Sequence, residues 1–167
     1  MKKVTFITHA AIIAALYVVL TLLANTLGLA NYAIQIRFSE ALTILPLFTP
    51  AAIPGLYIGC LLSNLLTGCI AWDIVFGPVA TLLGALGTYA LRRFHPVLGT
   101  IPPIVSNVLI VPFVLAYAYK LEGTIPYFML TVGIGEIISC GVLGYLLWMV
   151  LKRHARYIFQ TGGQASK

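Results

Sequence analysis

The sequence predicts an all-α membrane protein, a six-transmembrane-helix bundle with both termini cytoplasmic. Three observations predict it. Sixty per cent of the 167 residues are hydrophobic and only 8% are charged, against about 25% charged in a soluble domain. The mean hydropathy is +1.01. The charged positions fall in short clusters separated by long uncharged runs, at 4–36, 41–72, 74–91, 94–119, 123–135 and 137–151. A soluble enzyme, a nucleic-acid-binding domain and a disordered chain are excluded by this composition. Residues 1–160 form a single six-helix transmembrane domain, followed by a polar tail over 161–167.

A spanning helix needs about 20 mostly apolar residues. The first predicted helix runs from Val4 to Leu27 and ends at Gly28. Its length and the lack of a small-x-small site argue against a cleaved signal peptide. Pro50 and Pro54 divide the next run. That gives a short second helix, Glu40 to Phe48, with Ser39 as N-cap, and a third from Ala52 to Leu66. The fourth is Ile74 to Leu91. The fifth starts at Pro103, a first-turn proline, and ends at Tyr119. The sixth, Pro126 to Leu151, joins two runs across Glu136.

Six crossings place both termini and the loop after the fourth helix on one side. That side holds Lys2, Lys3, Arg92, Arg93, Lys152, Arg153, Arg156 and Lys167, eight of the ten cations. The other side holds Arg37, Lys120, Glu40, Asp73 and Glu122. Cationic loops mark the cytoplasmic face. The net charge of +6 is therefore explained by orientation and by anionic lipid, with no nucleic-acid partner.

No metal or cofactor is expected, because HExxH, CxxC and Cys/His clusters are absent. Cys60, Cys69 and Cys140 read as small membrane hydrophobes. There is no phosphate-binding GxxxxGK[ST] loop, so ATP-driven transport requires other chains. No nucleophile, base and metal set lies at a common depth, so the chain is not read as an enzyme.

Glu136 lies ten residues into the sixth helix, about 15 Å below the outer surface. An ionisable group at depth costs free energy unless paired or hydrated, which makes it a functional candidate. Ser139 and Cys140 follow at i+3 and i+4 and share its face. The alternative is a Glu that ties two helices or is protonated. Asp73 has two readings: an N-cap beside the belt residue Trp72, or a carboxylate and ring suited to a flat, proton-donating ligand. Asn64 lies at the outer end of the third helix. Asn107, one turn into the fifth, reads as an interhelical hydrogen bond. Tyr32, Tyr117, Tyr119 and Tyr127 read as belt residues, and Arg37 and Glu40 as a pair at the mouth. The segment Gly28 to Phe38 reads as a lid. Ala10/Ala14 and Ala11/Ala15 form a small-residue stripe that lets another helix approach closely, inside the bundle or from a partner.

The runs Ile34-Gln35-Ile36-Arg37-Phe38-Ser39-Glu40-Ala41-Leu42-Thr43 and Trp72-Asp73-Ile74-Val75-Phe76-Gly77 resemble the QueT family. The alanine stripe resembles the wider class of substrate-binding subunits of energy-coupling factor transporters. The resemblance implies capture of a queuosine precursor, 7-aminomethyl-7-deazaguanine or a related deazapurine, from outside a bacterial plasma membrane. It implies a coupling subunit, met by Ala10, Ala11, Ala14 and Ala15, and two ATPase subunits. A deazaguanine presents N1–H and an amine side by side, and its aminomethyl group is cationic. Two acids, an amide and a ring would receive it, and the outer half offers Glu136, Asp73, Glu40, Asn64, Trp72, Arg37 and Tyr32. A thiamine- or riboflavin-like vitamin, and a self-sufficient proton-coupled secondary transporter, are the alternatives.

Overall fold

The computed structural model describes residues 3–28, 36–120 and 122–159. Every regular element among the described residues is a helix, with no strand. Four stretches are long and apolar enough to cross a membrane: Lys3–Thr26, Ala71–Ala90, Pro96–Ala118 and Ile125–Leu151. We label the first two α1 and α3. Between them lie a 3₁₀ helix, Phe38–Leu47, and a shorter α-helix, α2, Ala52–Leu66.

The third long stretch is α4, Pro96–Phe113, which widens into a π-helical turn over Val114–Ala118. The last is α5, Ile125–Glu136, a π-helical segment Ile137–Leu143, and α6, Gly144–Leu151. A short helix, α7, Ala155–Ile158, follows. The expected sixth helix is thus one rod with a widened middle.

Close packing is built on glycine. A Cβ on Gly55 would lie 2.7 Å from the Ala10 carbonyl oxygen, and one on Gly59 would lie 2.7 Å from Tyr17 Cβ. The backbones of α1 and α2 are therefore nearly in contact. The same device joins α3 to α4, where Cβ atoms on Gly84 and Gly87 would meet Pro103 and Pro102 at 2.7 and 2.5 Å. The core gathers Ile13, Tyr17, Leu42, Leu45, Leu56 and Cys60. The outward faces of the rods carry exposed apolar side chains such as Ile7, Val19, Leu83 and Val150, as lipid contact requires.

Near the chain ends, His9 meets Phe159 edge-on at 5.9 Å, and Phe48 stacks on Phe159. The start of α1 and the described end of the chain therefore lie at the same end of the bundle.

Several expected boundaries move, and the fourth helix opens at Ala71, not Ile74. The fifth helix begins at Pro96, not Pro103, because Pro96 takes the first-turn position after the cap residue His95. Pro102 and Pro103 are interior, and Pro103 is buried against Gly84. Ser39 is not an N-cap: the 3₁₀ helix opens one residue before it, and the Ser39 hydroxyl pairs with Thr21 at 2.9 Å. The expected tail over 161–167 lies outside the described residues.

Candidate functional site: a buried pair of carboxylates

In a 3₁₀ helix residues three apart eclipse one another, so Glu40 and Thr43 share a row. The Thr43 hydroxyl donates to the Glu40 carbonyl oxygen at 2.6 Å. Opposite this row runs the π-helical segment of the last rod, and Thr43 reaches Cys140 Sγ at 3.4 Å. Ten residues is long for a 3₁₀ helix, and π-segments inside α-helices recur at functional sites. Here the two irregular helices face each other.

Between them sit Glu40 and Glu136, 1% and 8% exposed. One Glu40 oxygen, Oε1, accepts from the Tyr17 hydroxyl. The other, Oε2, is buried without a hydrogen-bond partner. The Cys140 thiol donates to Glu136 Oε2 at 3.1 Å. Ligand atoms of Glu40, Glu136 and Cys140 all lie within 4.8 Å of one another. Asn107, buried on α4, faces both carboxylates. The Arg37 backbone N–H donates to Ser139 Oγ at 3.2 Å. The Arg37 guanidinium interacts with Asp73 and Glu40 and reaches Glu136.

Asp73 belongs to a second cluster nearer the helix ends. It is the third residue of α3, not its cap, since Ile70 holds the cap position without a side-chain bond. Tyr119 donates to Asp73 Oδ2 at 3.1 Å, and Asn64 donates its amide to the Asp73 carbonyl at 3.0 Å. Gly77 makes room, because a Cβ there would lie 2.7 Å from the Asn64 amide nitrogen. Burial, then the adjacent Asp73 carboxylate, push the Tyr119 phenol above its ordinary range, so it remains a donor at neutral pH.

Of the expected site residues, the structure brings together Glu136, Glu40 and Arg37, with Asp73 in electrostatic reach of Arg37. Glu40 is not confined to a surface pair with Arg37: it is buried and bonded to Tyr17. Asn64 is engaged with the α3 backbone. Trp72 is 60% exposed and stacks on Phe76, lining an apolar groove of about 480 Å³ with Leu109, Phe113 and Tyr117. It does not stand over the acid pair. Tyr32 and most of the expected lid lie outside the described residues. Tyr17 and Cys140 are additions. A tyrosine on the α1 face bearing Ile13 carries no sequence signal, whereas the Cys140 position four residues after Glu136 did.

The alanine stripe divides. Ala14 is buried and Ala10 half-buried against Gly55 and Gly59, while Ala11 and Ala15 are exposed. The stripe borders an open groove of about 490 Å³ with Phe6, Ile7, Pro54, Ile58 and Leu62.

Long apolar rods around buried carboxylates define a helical membrane protein with an internal polar site. The chain belongs to the QueT transporter family, which it matches over residues 7–153. That family is one of transporters and not of enzymes. A curated protein of Lactococcus lactis subsp. cremoris (strain MG1363), named queuosine precursor transporter QueT, is 37% identical over 95 residues. These cover 56% of this chain and 55% of that protein, so the match spans just over half the length of the curated relative. No solved structure matches the chain.

Proposed function

We propose that this chain is the substrate-binding membrane subunit of an energy-coupling factor importer in a bacterial plasma membrane. It captures a queuosine precursor, a 7-deazaguanine such as 7-aminomethyl-7-deazaguanine, from outside. Family membership supports a transporter, and the name of the relative supports the substrate. The observation that carries the site is the buried set of Glu40, Glu136, Asn107 and Arg37. Buried carboxylates suit a ligand that brings N–H donors, which they accept in charge-assisted bonds, and an amide complements the carbonyl of a guanine-like ring.

The proposed topology has six crossings with cytoplasmic termini. The His9–Phe159 contact supports it, because an even number of crossings returns the chain to its starting side. The basic residues flanking α1, α3 and α6 support the orientation. Energy comes from a coupling subunit and two ATPase subunits on other chains, with the exposed Ala11 and Ala15 of α1 proposed for the coupling contact.

The test has two parts. Small molecules that co-purify with the protein are identified by mass spectrometry, and a deazaguanine is expected. A flavin or thiamine in its place would replace the proposed ligand. Uptake is then measured in proteoliposomes. It should require the coupling and ATPase subunits and ATP. Uptake by this chain alone under a proton gradient would make it a secondary transporter.

A further inference from the structure

The acid pair has a valence that the protein does not fill. Glu40 is 1% exposed, Tyr17 occupies one of its oxygens, and Oε2 has no partner. A buried acceptor left unpaired costs free energy that a ligand donor recovers. Among the described residues, Glu40, Glu136 and Asp73 all interact with the Arg37 guanidinium. Inside a membrane an uncompensated carboxylate is costlier still.

The closeness of the two acids allows one small donor group to touch both. A primary ammonium carries three N–H donors and no acceptor. It donates to carboxylate oxygens at about 2.8 Å, and at the tetrahedral angle two such acceptors lie about 4.6 Å apart. One ligand atom from each of Glu40, Glu136 and Cys140 lies within 4.8 Å of the other two, close enough for a single small group to reach both carboxylates. The third member, Cys140, uses its thiol proton to donate to Glu136. In that state it is no metal ligand, since metals take the thiolate.

We propose that Glu40 and Glu136 together grip a primary ammonium group of the ligand, so that the site selects a cationic substituent over a neutral one of equal size. This rests on the reading that the ligand is a deazaguanine, and makes the charge on its 7-substituent the selected feature. Glu40, through its open Oε2, supplies the selectivity. Tyr17 is a positioning residue that holds the Glu40 carboxylate by its other oxygen.

The experiment compares 7-aminomethyl-7-deazaguanine with 7-hydroxymethyl-7-deazaguanine, its neutral near-isostere, by calorimetric titration of the purified full-length protein. The wild type should prefer the amine by about 100-fold. In Glu40→Gln the preference should fall to about threefold or less, through a larger loss of affinity for the amine than for the hydroxymethyl compound.

The wild-type comparison needs no variant, so a misfolded Glu40→Gln leaves the idea exposed to refutation. Equal wild-type affinity for the two compounds overturns the ammonium assignment and leaves the deazaguanine reading standing. Binding of neither overturns the deazaguanine reading itself. A preference that survives in Glu40→Gln removes Glu40 from the role. Zinc or manganese chloride alone raising the melting temperature, reversed by EDTA, with no amine preference, would make the cluster a metal site and overturn the proposal.

Discussion

The Asp73 cluster and the Glu40–Glu136 cluster each bury carboxylate among helices, yet they differ in what is left over. Around Asp73 the contacts are internal: Tyr119 takes a carboxylate oxygen, Asn64 takes the backbone carbonyl, and Gly77 is cut to fit the amide. Around Glu40 one oxygen stays open beside a second acid. Closed polar clusters hold helices together, while open ones await a partner. The alanine stripe repeats the contrast, with Ala10 and Ala14 set against α2 and Ala11 and Ala15 facing outward.

The largest expected effect separates the two halves of that stripe. Ala11→Trp should abolish uptake and co-purification with the coupling subunit while ligand binding survives. Ala14→Trp should instead lower folded yield, because Gly59 leaves no room beside the Ala14 backbone and overpacking is destabilising. Pull-down, uptake and yield of the two variants give the comparison. Loss of ligand binding in well-folded Ala11→Trp would erase the distinction.

Next is Glu136→Gln, which should weaken ligand binding by roughly one to three orders of magnitude, since losing one partner of a buried pair costs a few kcal/mol. The melting temperature should change little, as the side-chain volume is kept. Titration and a melting curve on the one protein decide it. Wild-type affinity with lowered stability would make Glu136 structural and equate the two clusters.

Asp73→Asn should show the converse, a lower melting temperature with ligand affinity within about threefold. Tyr119→Phe, the mildest change, should cost about 1 kcal/mol of stability for one hydrogen bond, measured by thermal unfolding, with uptake intact. A collapse of affinity in either variant would put the outer cluster in the site.

The candidate acids were legible in the sequence, but the contrast between their two clusters was not. Glu136 stands out because charge is rare within a long apolar run, and its depth follows from counting residues along a helix. Glu40 was legible as a candidate but not as a deep one. It opens a short helix after a polar segment, and only the packing of the 3₁₀ helix against α1 and the last rod buries it. Asn107 was misplaced for a local reason. Counting from Pro103 puts it one turn from the helix start, while counting from Pro96 puts it near the middle of the stretch Pro96–Ala118, where it faces the acids. Asp73 could not be resolved from local sequence, because its partner Tyr119 lies 46 positions away.

The widened turn over Ile137–Leu143 has a consequence for how the gene can change. A π-turn holds one residue more than the α-turn it interrupts. A single-codon deletion inside it should therefore be absorbed by reversion to α-helix, with Glu136 above and Gly144 below keeping their headings. The same deletion elsewhere in this rod would rotate everything downstream by about 100°, turning lipid-facing side chains inward. Length variation among natural relatives of this helix should therefore concentrate in those seven residues.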